Sequence, residues 1–370
     1  MTEHESHNQT SSDTRYWLSM TPVERYRQAE RIVVNHRCFN ELMARIDFCD
    51  LYANEVPTLN PPCLAILGET GAGKTTLVTT WIARSKYKRY ETPEGSVIPY
   101  LYISIPAGAT IKATATEILR TLGDPNPERG TQSNLVNRVY RLLKGCQVRI
   151  IFVDEFQHII EKETQHIIYK VADFLKDIIN HTCIPMILIG RLGEAEPILM
   201  VNPQLEGRVG APLYLEPFLW DRTKPETITE FCQLMDVIDC SIPFDLSRLG
   251  TEEMAFRFYY ASNGYLRYVM ELIRYAAWGA ITSQCTTLNL PLLKAAYDAR
   301  LAGMTIGSGK ENPFDEGFHV ARAKLVLPAP PVVHLPKPAP SGKSGQRSTT
   351  KRGSRQTSTE KLHTSEVLKR

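Results

Sequence analysis

The sequence lacks the features that mark membrane-spanning, secreted and metal-scaffold proteins. No apolar run reaches about 18 residues, the length that a helix needs to cross a bilayer. The first residues, MTEHESHNQTSSD, contain no apolar core of the kind found in a secretion signal. The eight cysteines are scattered without a C-x-x-C pair, so reduced thiols are expected rather than a zinc site or a disulfide framework. These absences favour a cytoplasmic protein with no membrane partner.

A broad basic surface is also missing. Residues 337–370 carry nine Lys or Arg and two Glu, a net charge of +7, which leaves −4 for the rest of a chain whose total is +3. The sequence shows no helix-turn-helix, zinc-finger or RNA-recognition motif, so it does not match the common nucleic-acid-reading classes. The basic tail follows the proline-rich segment PAPPVVHLPKPAPSGKSG, and we predict an extended spacer and a disordered tail.

The hydrophobic pattern that is present divides the chain into four parts. Residues 1–55 comprise a polar start, predicted to be disordered, followed by two helices. Residues 56–221 alternate short apolar runs with helical patterns. Residues 222–303 contain four helical patterns and no strand, which predicts a small helical domain. Residues 304–370 hold an NPF sequence at Asn312–Phe314, the proline-rich spacer and the basic tail.

Five short apolar runs in the second part predict β-strands. Strands of a parallel sheet are buried on both faces by helices and therefore read as continuous apolar runs rather than as alternating ones. The predicted fold class is thus α/β. The five predicted strands are CLAIL (63–67), YLYISI (100–105), RIIFV (149–153), PMILIG (185–190) and PLYL (212–215).

The segment GETGAGKT, between the first predicted strand and a helix, fits the phosphate-loop pattern G-x-x-x-x-G-K-[ST]. The backbone N–H groups of such a loop wrap phosphates, and the following helix directs its positive end toward them. We predict that Lys74 contacts the β- and γ-phosphates and that the Thr75 hydroxyl binds Mg²⁺. The predicted nucleotide-binding residues of this loop are Gly68, Glu69, Thr70, Gly71, Ala72, Gly73, Lys74, Thr75 and Thr76.

A second motif, IIFVDE, places two acids at the end of a buried strand. Asp154 is predicted to hold Mg²⁺ through water as part of the nucleotide site. Glu155 follows at once and is predicted to orient and deprotonate an attacking water molecule. The structural alternative is an Asp-Glu pair that only caps a helix. A glutamate beside the metal-binding aspartate favours hydrolysis by water over transfer to an acceptor.

The order of the motifs resembles a known family. The extra strand at 100–105 between the two motifs is found in the AAA+ branch of phosphate-loop ATPases, and residues 222–303 resemble an AAA+ lid. The series GETGAGKTT, FVDEFQHI, MILIG, EAEPIL, NPQLEGR, LEPFLWD and SNGYLRYVMELIRYAA resembles the TniB/TnsC family of transposition-regulator AAA+ ATPases over about residues 20–300. The resemblance implies an AAA+ P-loop NTPase with a parallel five-stranded sheet between helices, followed by a small α-helical lid domain.

The resemblance gives roles to three arginines. Arg208, in NPQLEGR, lies where AAA+ proteins keep an arginine finger that reaches the γ-phosphate of a neighbouring subunit. Arg267, at the start of a lid helix, resembles a second-sensor arginine of the same subunit. A first-sensor Asn, Ser or Thr is expected after the fourth strand, but this chain has Gly190 and Arg191 there. Whether Arg191 fills that role is left open, slow turnover is expected, and Arg208 and Arg267 could also be ordinary surface residues.

The same resemblance implies a function. The protein would assemble with ATP and Mg²⁺ into a homo-oligomeric ring or helical filament on double-stranded DNA in the bacterial cytoplasm. It would connect a TniQ-type target selector to a DDE transposase, with slow, oligomer-dependent ATP hydrolysis controlling disassembly. A CRISPR effector complex as a further partner is left open. The NPF sequence resembles carboxyl-terminal segments of the family that meet other transposition proteins, and an ordinary turn is the alternative.

A ring that binds the phosphate backbone needs few cations per subunit, because symmetry repeats them. Lys112 and Thr114, in the polar segment AGATIKATAT after the second predicted strand, are the predicted DNA contacts. Solvated surface charge is the alternative. A second candidate is the basic cluster formed by Arg84, Lys86, Lys88 and Arg89.

Three other functions fit the same motifs. An initiator or helicase-loading AAA+ switch shares them, although no DNA-reading domain follows the predicted lid. A P-loop phosphotransferase would need a pocket for a phosphate acceptor and would work as a monomer. A nucleotide-binding scaffold would not hydrolyse ATP at all, which the presence of Glu155 disfavours.

Overall fold

The computed structural model describes residues 16–55, 60–108, 110–159 and 165–326. The chain divides into one unit of Met1–Pro330 and a second of Pro331–Arg370. The predicted disordered start, the proline-rich spacer and the basic tail lie outside the described residues. Within the described ranges, no helix is both long enough and apolar enough to cross a membrane.

The described helices and strands follow the predicted alternation. The strands are β1 (Leu64–Gly68), β2 (Tyr90–Thr92), β3 (Gly95–Val97), β4 (Tyr100–Ser104), β5 (Ile150–Asp154), β6 (Met186–Arg191) and β7 (Leu213–Leu215). The helices are α1 (Pro22–Glu30), α2 (Arg37–Glu55), α3 (Lys74–Arg84), α4 (Ile111–Thr121), α5 (Gln132–Gly145), α6 (Gln165–Thr182), α7 (Glu196–Val201), α8 (Pro203–Val209), α9 (Pro225–Ser241), α10 (Glu252–Ser262), α11 (Leu266–Thr282), α12 (Leu290–Arg300) and α13 (Val320–Val326).

Five strands form one parallel sheet in the order β4-β5-β6-β1-β7, which confirms the predicted fold class. Gly68, at the end of β1, pairs with Arg191 of β6 and with Leu215 of β7. Asp154 ends β5, directly beside β6. Because parallel strands share one carboxyl edge, the segments that follow β1, β5 and β6 meet there, at the edge where α/β sheets bind ligands.

Apolar side chains cover both faces of the sheet. On one face, Phe39 of α2 and Trp81 of α3 pack against the strands. The Trp81 ring meets Tyr100 edge-on at 4.8 Å between centroids, and its indole N–H donates to Asp47 Oδ1 at 2.8 Å. Helices α4, α5 and α6 bury their apolar side chains against the opposite face. The antiparallel hairpin of β2 and β3, which the sequence did not predict, forms a separate two-stranded sheet.

The two amino-terminal helices belong to different cores. Helix α1 begins at a capping box in which Thr21 N donates to Glu24 Oε2 at 2.8 Å and Glu24 N donates to Thr21 Oγ1 at 3.3 Å. Ala29 of α1 and Val34 of the following linker pack with helices α9 to α12, the predicted lid, whereas α2 packs on the sheet. The predicted domain boundaries, after residues 55, 221 and 303, stay predictions.

The NPF sequence is folded onto the predicted lid. Phe314 is buried, and its ring meets that of Phe258 edge-on at 5.0 Å. Arg257, also buried, donates to the carbonyl oxygen of Pro313 at 2.5 Å. Asn312 Nδ2 donates to a main-chain carbonyl of α12 at 3.1 Å. A phenylalanine used in this way is not available to another protein, so the structure favours the turn over the partner-binding interpretation.

Candidate nucleotide-binding site

The loop between β1 and α3 has glycine where its backbone requires it. Gly71 and Gly73 have φ values of +85° and +103°, in the left-handed region that side chains disfavour. Gly68 meets a different constraint, because a Cβ there would lie 2.6 Å from the carbonyl oxygen of Leu215. Helix α3 begins at Lys74, so its amino end follows the loop directly. The local geometry is that of the predicted phosphate loop.

Lys74 is held between this loop and the acidic end of β5. Its Nζ donates to the carbonyl oxygens of Gly68 at 2.7 Å and Glu69 at 2.9 Å. Burial lowers the pKa of Lys74, and the carboxylates of Asp154 and Glu155 act in the opposite direction. The ammonium group therefore stands among the loop carbonyls and within the field of both acids, where it can meet the oxygen of a phosphate.

Three oxygen-bearing side chains converge at the end of β5. Asp154 is buried, and its Oδ2 accepts from Thr75 Oγ1 at 3.4 Å and from the Tyr102 hydroxyl. Burial, followed by the bond to Asp154, raises the pKa of Tyr102 well above its usual range. Hydroxyl and carboxylate oxygens are the ligands that Mg²⁺ prefers, so Thr75 and Asp154 fit the predicted metal role. No sequence motif marks Tyr102, since one tyrosine on a buried strand is usually a core residue.

A metal ion at this point would not be enclosed by protein alone. Among the described residues, no three His, Cys, Asp or Glu side chains gather closely enough to form a metal cage. Mg²⁺ commonly keeps several waters and is held by one or two carboxylates together with substrate phosphates. The donor set of one buried carboxylate and one hydroxyl fits that mode of binding.

Glu155 projects from a strained point of the backbone into the same cleft. Its φ of +53° is uncommon for a residue other than glycine, and such strain concentrates at functional sites. The side chain is 41% exposed, and its Oε2 lies 3.8 Å from His158 Nε2 and accepts from Gln157 Nε2. A carboxylate that is partly exposed and fixed on one side can accept a proton from water in the cleft.

The cleft has a volume of about 360 Å³ and an apolar wall that the sequence did not predict. Ile32, Val33 and Val34, from the linker between α1 and α2, line the same cleft as the phosphate loop, together with Met270 of α11. Burial lowers the pKa of the nearby His36 to about 4, which leaves this imidazole neutral at pH 7. Apolar side chains in a cleft that also contains a phosphate loop can hold a nucleobase. The linker residues carry no motif, which is why sequence reasoning missed them.

Two of the predicted arginines line this cleft. Arg267 packs directly on the phosphate loop, because a Cβ at Gly71 would lie 2.7 Å from Arg267 Cδ. Arg191 lies at the end of β6 and donates through NH1 to Glu194 Oε1 at 2.8 Å. Both positions agree with roles near a bound phosphate, and the roles themselves stay predictions.

Arg208 lies elsewhere on the molecule. Its guanidinium donates to the side-chain oxygens of Asn60 at 2.5 Å and Asn180 at 2.6 Å. It is not among the side chains that line the cleft described above. A finger that serves a neighbouring subunit would lie away from its own site, so the predicted role requires a second copy of the chain.

The predicted DNA contacts differ in accessibility. Lys112 is exposed on the first turn of α4, whereas Thr114 is fully buried and its Oγ1 has no hydrogen-bond partner among the described residues. A side chain in that position presents no surface to DNA, so we retain only Lys112. In the basic cluster, Arg84 donates to Asn35 Oδ1 at 3.1 Å, and Lys88 donates to the carbonyl oxygen of Ala83, in the last turn of α3, at 2.6 Å. These bonds give two of its members structural roles.

Comparison with known proteins identifies a protein family that the chain matches and solved structures that share its fold. The sequence profile of the family described as "Bacterial TniB protein" matches residues 26–218. No curated protein sequence matches the chain.

Three solved structures share the fold at low sequence identity. The ORC2 protein of Aeropyrum pernix, solved in ADPNP–ADP complexes, is 17% identical over 74% of this chain and 71% of its own, with a TM-score of 0.50. The ORC1 protein of the same organism, solved with DNA, is 13% identical over 74% and 69%, with a TM-score of 0.50. Cdc6p of Pyrobaculum aerophilum is 15% identical over 75% and 72%, with a TM-score of 0.50. The predicted AAA+ architecture is thereby confirmed.

Proposed function

Since this chain belongs to the TniB family, we propose that it is an ATP-dependent regulator of DNA transposition that assembles on double-stranded DNA. In this proposal it connects a TniQ-type target selector to a DDE transposase in the bacterial cytoplasm, and hydrolysis of ATP controls disassembly. The observation that carries the proposal is that Lys74, Glu155 and Arg267 line one cleft with a phosphate loop, where Thr75 also contacts Asp154.

The cleft supplies each part of a hydrolytic site. Backbone N–H groups of the phosphate loop and the Lys74 ammonium would bind the phosphates. Thr75 and Asp154 would hold Mg²⁺, which supplies charge neutralisation at the phosphate oxygens. Glu155 would accept the proton of the water molecule that attacks the γ-phosphate, and ADP would leave. The linker wall and Met270 would bind the base and keep water from that side of the nucleotide.

Electron microscopy of the protein with double-stranded DNA tests the proposal. Three samples are compared, with ATP, with a non-hydrolysable analogue and without nucleotide. We expect rings or filaments on DNA only when nucleotide is present, and longer-lived ones with the analogue. A monomer under all three conditions would contradict the proposal and favour a phosphotransferase.

Arg208→Ala is expected to lower ATP turnover on the order of a thousandfold while leaving ATP affinity unchanged, because an arginine finger acts only on the transition state. Turnover is measured by phosphate release on DNA, and affinity by titration with a fluorescent ATP analogue. Arg141→Ala, at an exposed position of α5, is the matched control.

Mixing two inactive variants tests whether Arg208 acts between subunits. Glu155→Gln subunits would supply an intact Arg208, and Arg208→Ala subunits would supply an intact hydrolytic cleft. Equal mixtures are therefore expected to regain activity that neither variant has alone. If the mixture stays inactive although both variants assemble on DNA, Arg208 does not act as an arginine finger between subunits.

Lys112→Glu is expected to weaken DNA binding without changing ATP affinity, because it removes a phosphate contact that every subunit repeats. Each lost contact lowers the slope of log K against log salt by about 0.9. Binding isotherms at several salt concentrations measure that slope. Lys144→Glu, with the same charge change at the exposed end of α5, serves as control. Equal effects of the two substitutions would mean that only net charge matters.

A further inference from the structure

Gln157 is a buried polar side chain to which none of the roles above gives a purpose. It lies on the short 3₁₀ turn Phe156–Ile159 that follows β5 and Glu155. Its side chain lines the cleft, yet the residue is only 2% exposed. A buried amide must have partners for both of its ends, so the identity of those partners indicates what it does.

The oxygen and the nitrogen of the Gln157 side-chain amide each form a hydrogen bond at the edge of the sheet where the strands end. Gln157 Oε1 accepts from the backbone N–H of Arg191 at 2.9 Å, and Gln157 Nε2 donates to Glu155 Oε2. An N–H can only donate and a carboxylate can only accept, so the reverse orientation of the amide would satisfy neither partner. The amide therefore connects the carboxylate after β5 to the backbone at the end of β6.

The space that the amide occupies exists because residue 190 is glycine. A Cβ at Gly190 would lie 2.7 Å from Ala195 Cβ and 3.3 Å from Gln157 Oε1. A side chain at the end of β6 would therefore collide with Ala195 and press on the amide oxygen. The polar group at this point of the cleft comes from the turn after β5, not from β6.

We propose that Gln157 is a positioning residue for hydrolysis, an inference that rests on the ATPase function proposed above. The hydrogen bond from Gln157 holds Oε2 of Glu155 in place relative to the sheet. The other carboxylate oxygen of Glu155, Oε1, stays available to take the proton from the attacking water. The water oxygen then forms a bond to the γ-phosphorus, the bond from that phosphorus to the bridging oxygen breaks, and ADP departs. Without the amide, the carboxylate of Glu155 would sample other rotamers, and fewer bound nucleotides would meet a correctly placed base.

Two substitutions separate the two bonds of the amide. Gln157→Met removes both at similar volume. Gln157→Glu keeps an oxygen for the Arg191 N–H but places a second carboxylate against Glu155. We expect both to lower kcat by about 10- to 100-fold, the effect of one hydrogen bond to a charged group, with ATP affinity changed less than twofold. Gln233→Met, at an exposed position of α9, is the control.

Turnover on DNA, binding of a fluorescent ATP analogue and thermal melting are measured for each variant. Wild-type turnover in Gln157→Glu beside a slow Gln157→Met would mean that the amide only satisfies the Arg191 N–H, and the inference would fail. Unchanged or faster turnover in both variants would also overturn it. If either variant melts below the assay temperature, Gln157→Asn tests the same point, because its shorter amide cannot span both partners. A wild type that binds ATP without hydrolysing it overturns the proposed ATPase, and this inference with it.

Discussion

Lys74→Ala is expected to lower ATP affinity by about 100-fold or more and to abolish assembly on DNA. The ammonium group of Lys74 lies at the carbonyl oxygens of the loop, and a charge-assisted hydrogen bond to phosphate contributes about 1.5–3 kcal/mol. The substitution also removes the two hydrogen bonds from Nζ to the carbonyl oxygens of Gly68 and Glu69, so the loop is less ordered. The two losses act on the same equilibrium, because only the ordered loop binds phosphate.

Titration with a fluorescent ATP analogue and electron microscopy on DNA measure the two effects of Lys74→Ala. Lys144→Ala, at the exposed end of α5, removes a lysine without touching the cleft and should behave as wild type. Normal filaments formed by Lys74→Ala would defeat the idea that nucleotide switches assembly. Loss of ATP binding with assembly intact would leave a DNA-binding protein whose nucleotide has another purpose.

Glu155→Gln is expected to bind ATP normally and to hydrolyse it about 10²- to 10⁴-fold more slowly, the range contributed by a general base. The amide has nearly the shape of the carboxylate and can still accept the hydrogen bond from Gln157 through its oxygen. It cannot take a proton from water. If hydrolysis controls release, assemblies of this variant on DNA should persist long after those of the wild type have dissociated.

Single-turnover hydrolysis and the dissociation rate from DNA after dilution measure these two effects separately. Glu128→Gln removes an exposed carboxylate that pairs with Arg120 and does not line the cleft, and it is the matched control. Slow hydrolysis with wild-type dissociation would show that release does not depend on hydrolysis. Unchanged hydrolysis would remove Glu155 from the proposed mechanism and direct attention to His158 or another proton acceptor.

The sheet, the phosphate loop and the acidic end of β5 could be predicted because their signals are local. A strand such as β5 is buried on both faces, so its sequence is apolar without a break until Asp154. The phosphate loop is a continuous run of residues, and the backbone conformation of that same run requires its glycines. A helix directly after the loop was predicted for the same reason, and α3 begins at Lys74, the residue after the last loop glycine.

The features that were missed depend on contacts between distant parts of the chain. The hairpin of β2 and β3 has short strands that, among the described residues, pair only with each other, and neither strand is a continuous apolar run. Thr114 belongs to a polar segment, yet the packing of α4 on the sheet buries it completely. Gln157 lies just after the acidic motif but is not part of it. One of its hydrogen-bond partners, the backbone N–H of Arg191, is on β6, which is distant in the sequence.

The candidate nucleotide-binding cleft is lined by residues from three separated stretches of the chain. A truncated fragment that lacks one of these stretches therefore lacks part of the cleft. The phosphate loop and the IIFVDE motif both fall within residues 56–221, but Ile32 and Val34 lie before that range and Arg267 and Met270 after it. The family profile, which matches residues 26–218, likewise ends before the last two. A fragment trimmed to residues 56–221 would therefore keep the phosphate loop and the IIFVDE motif but only part of the surface that lines the cleft.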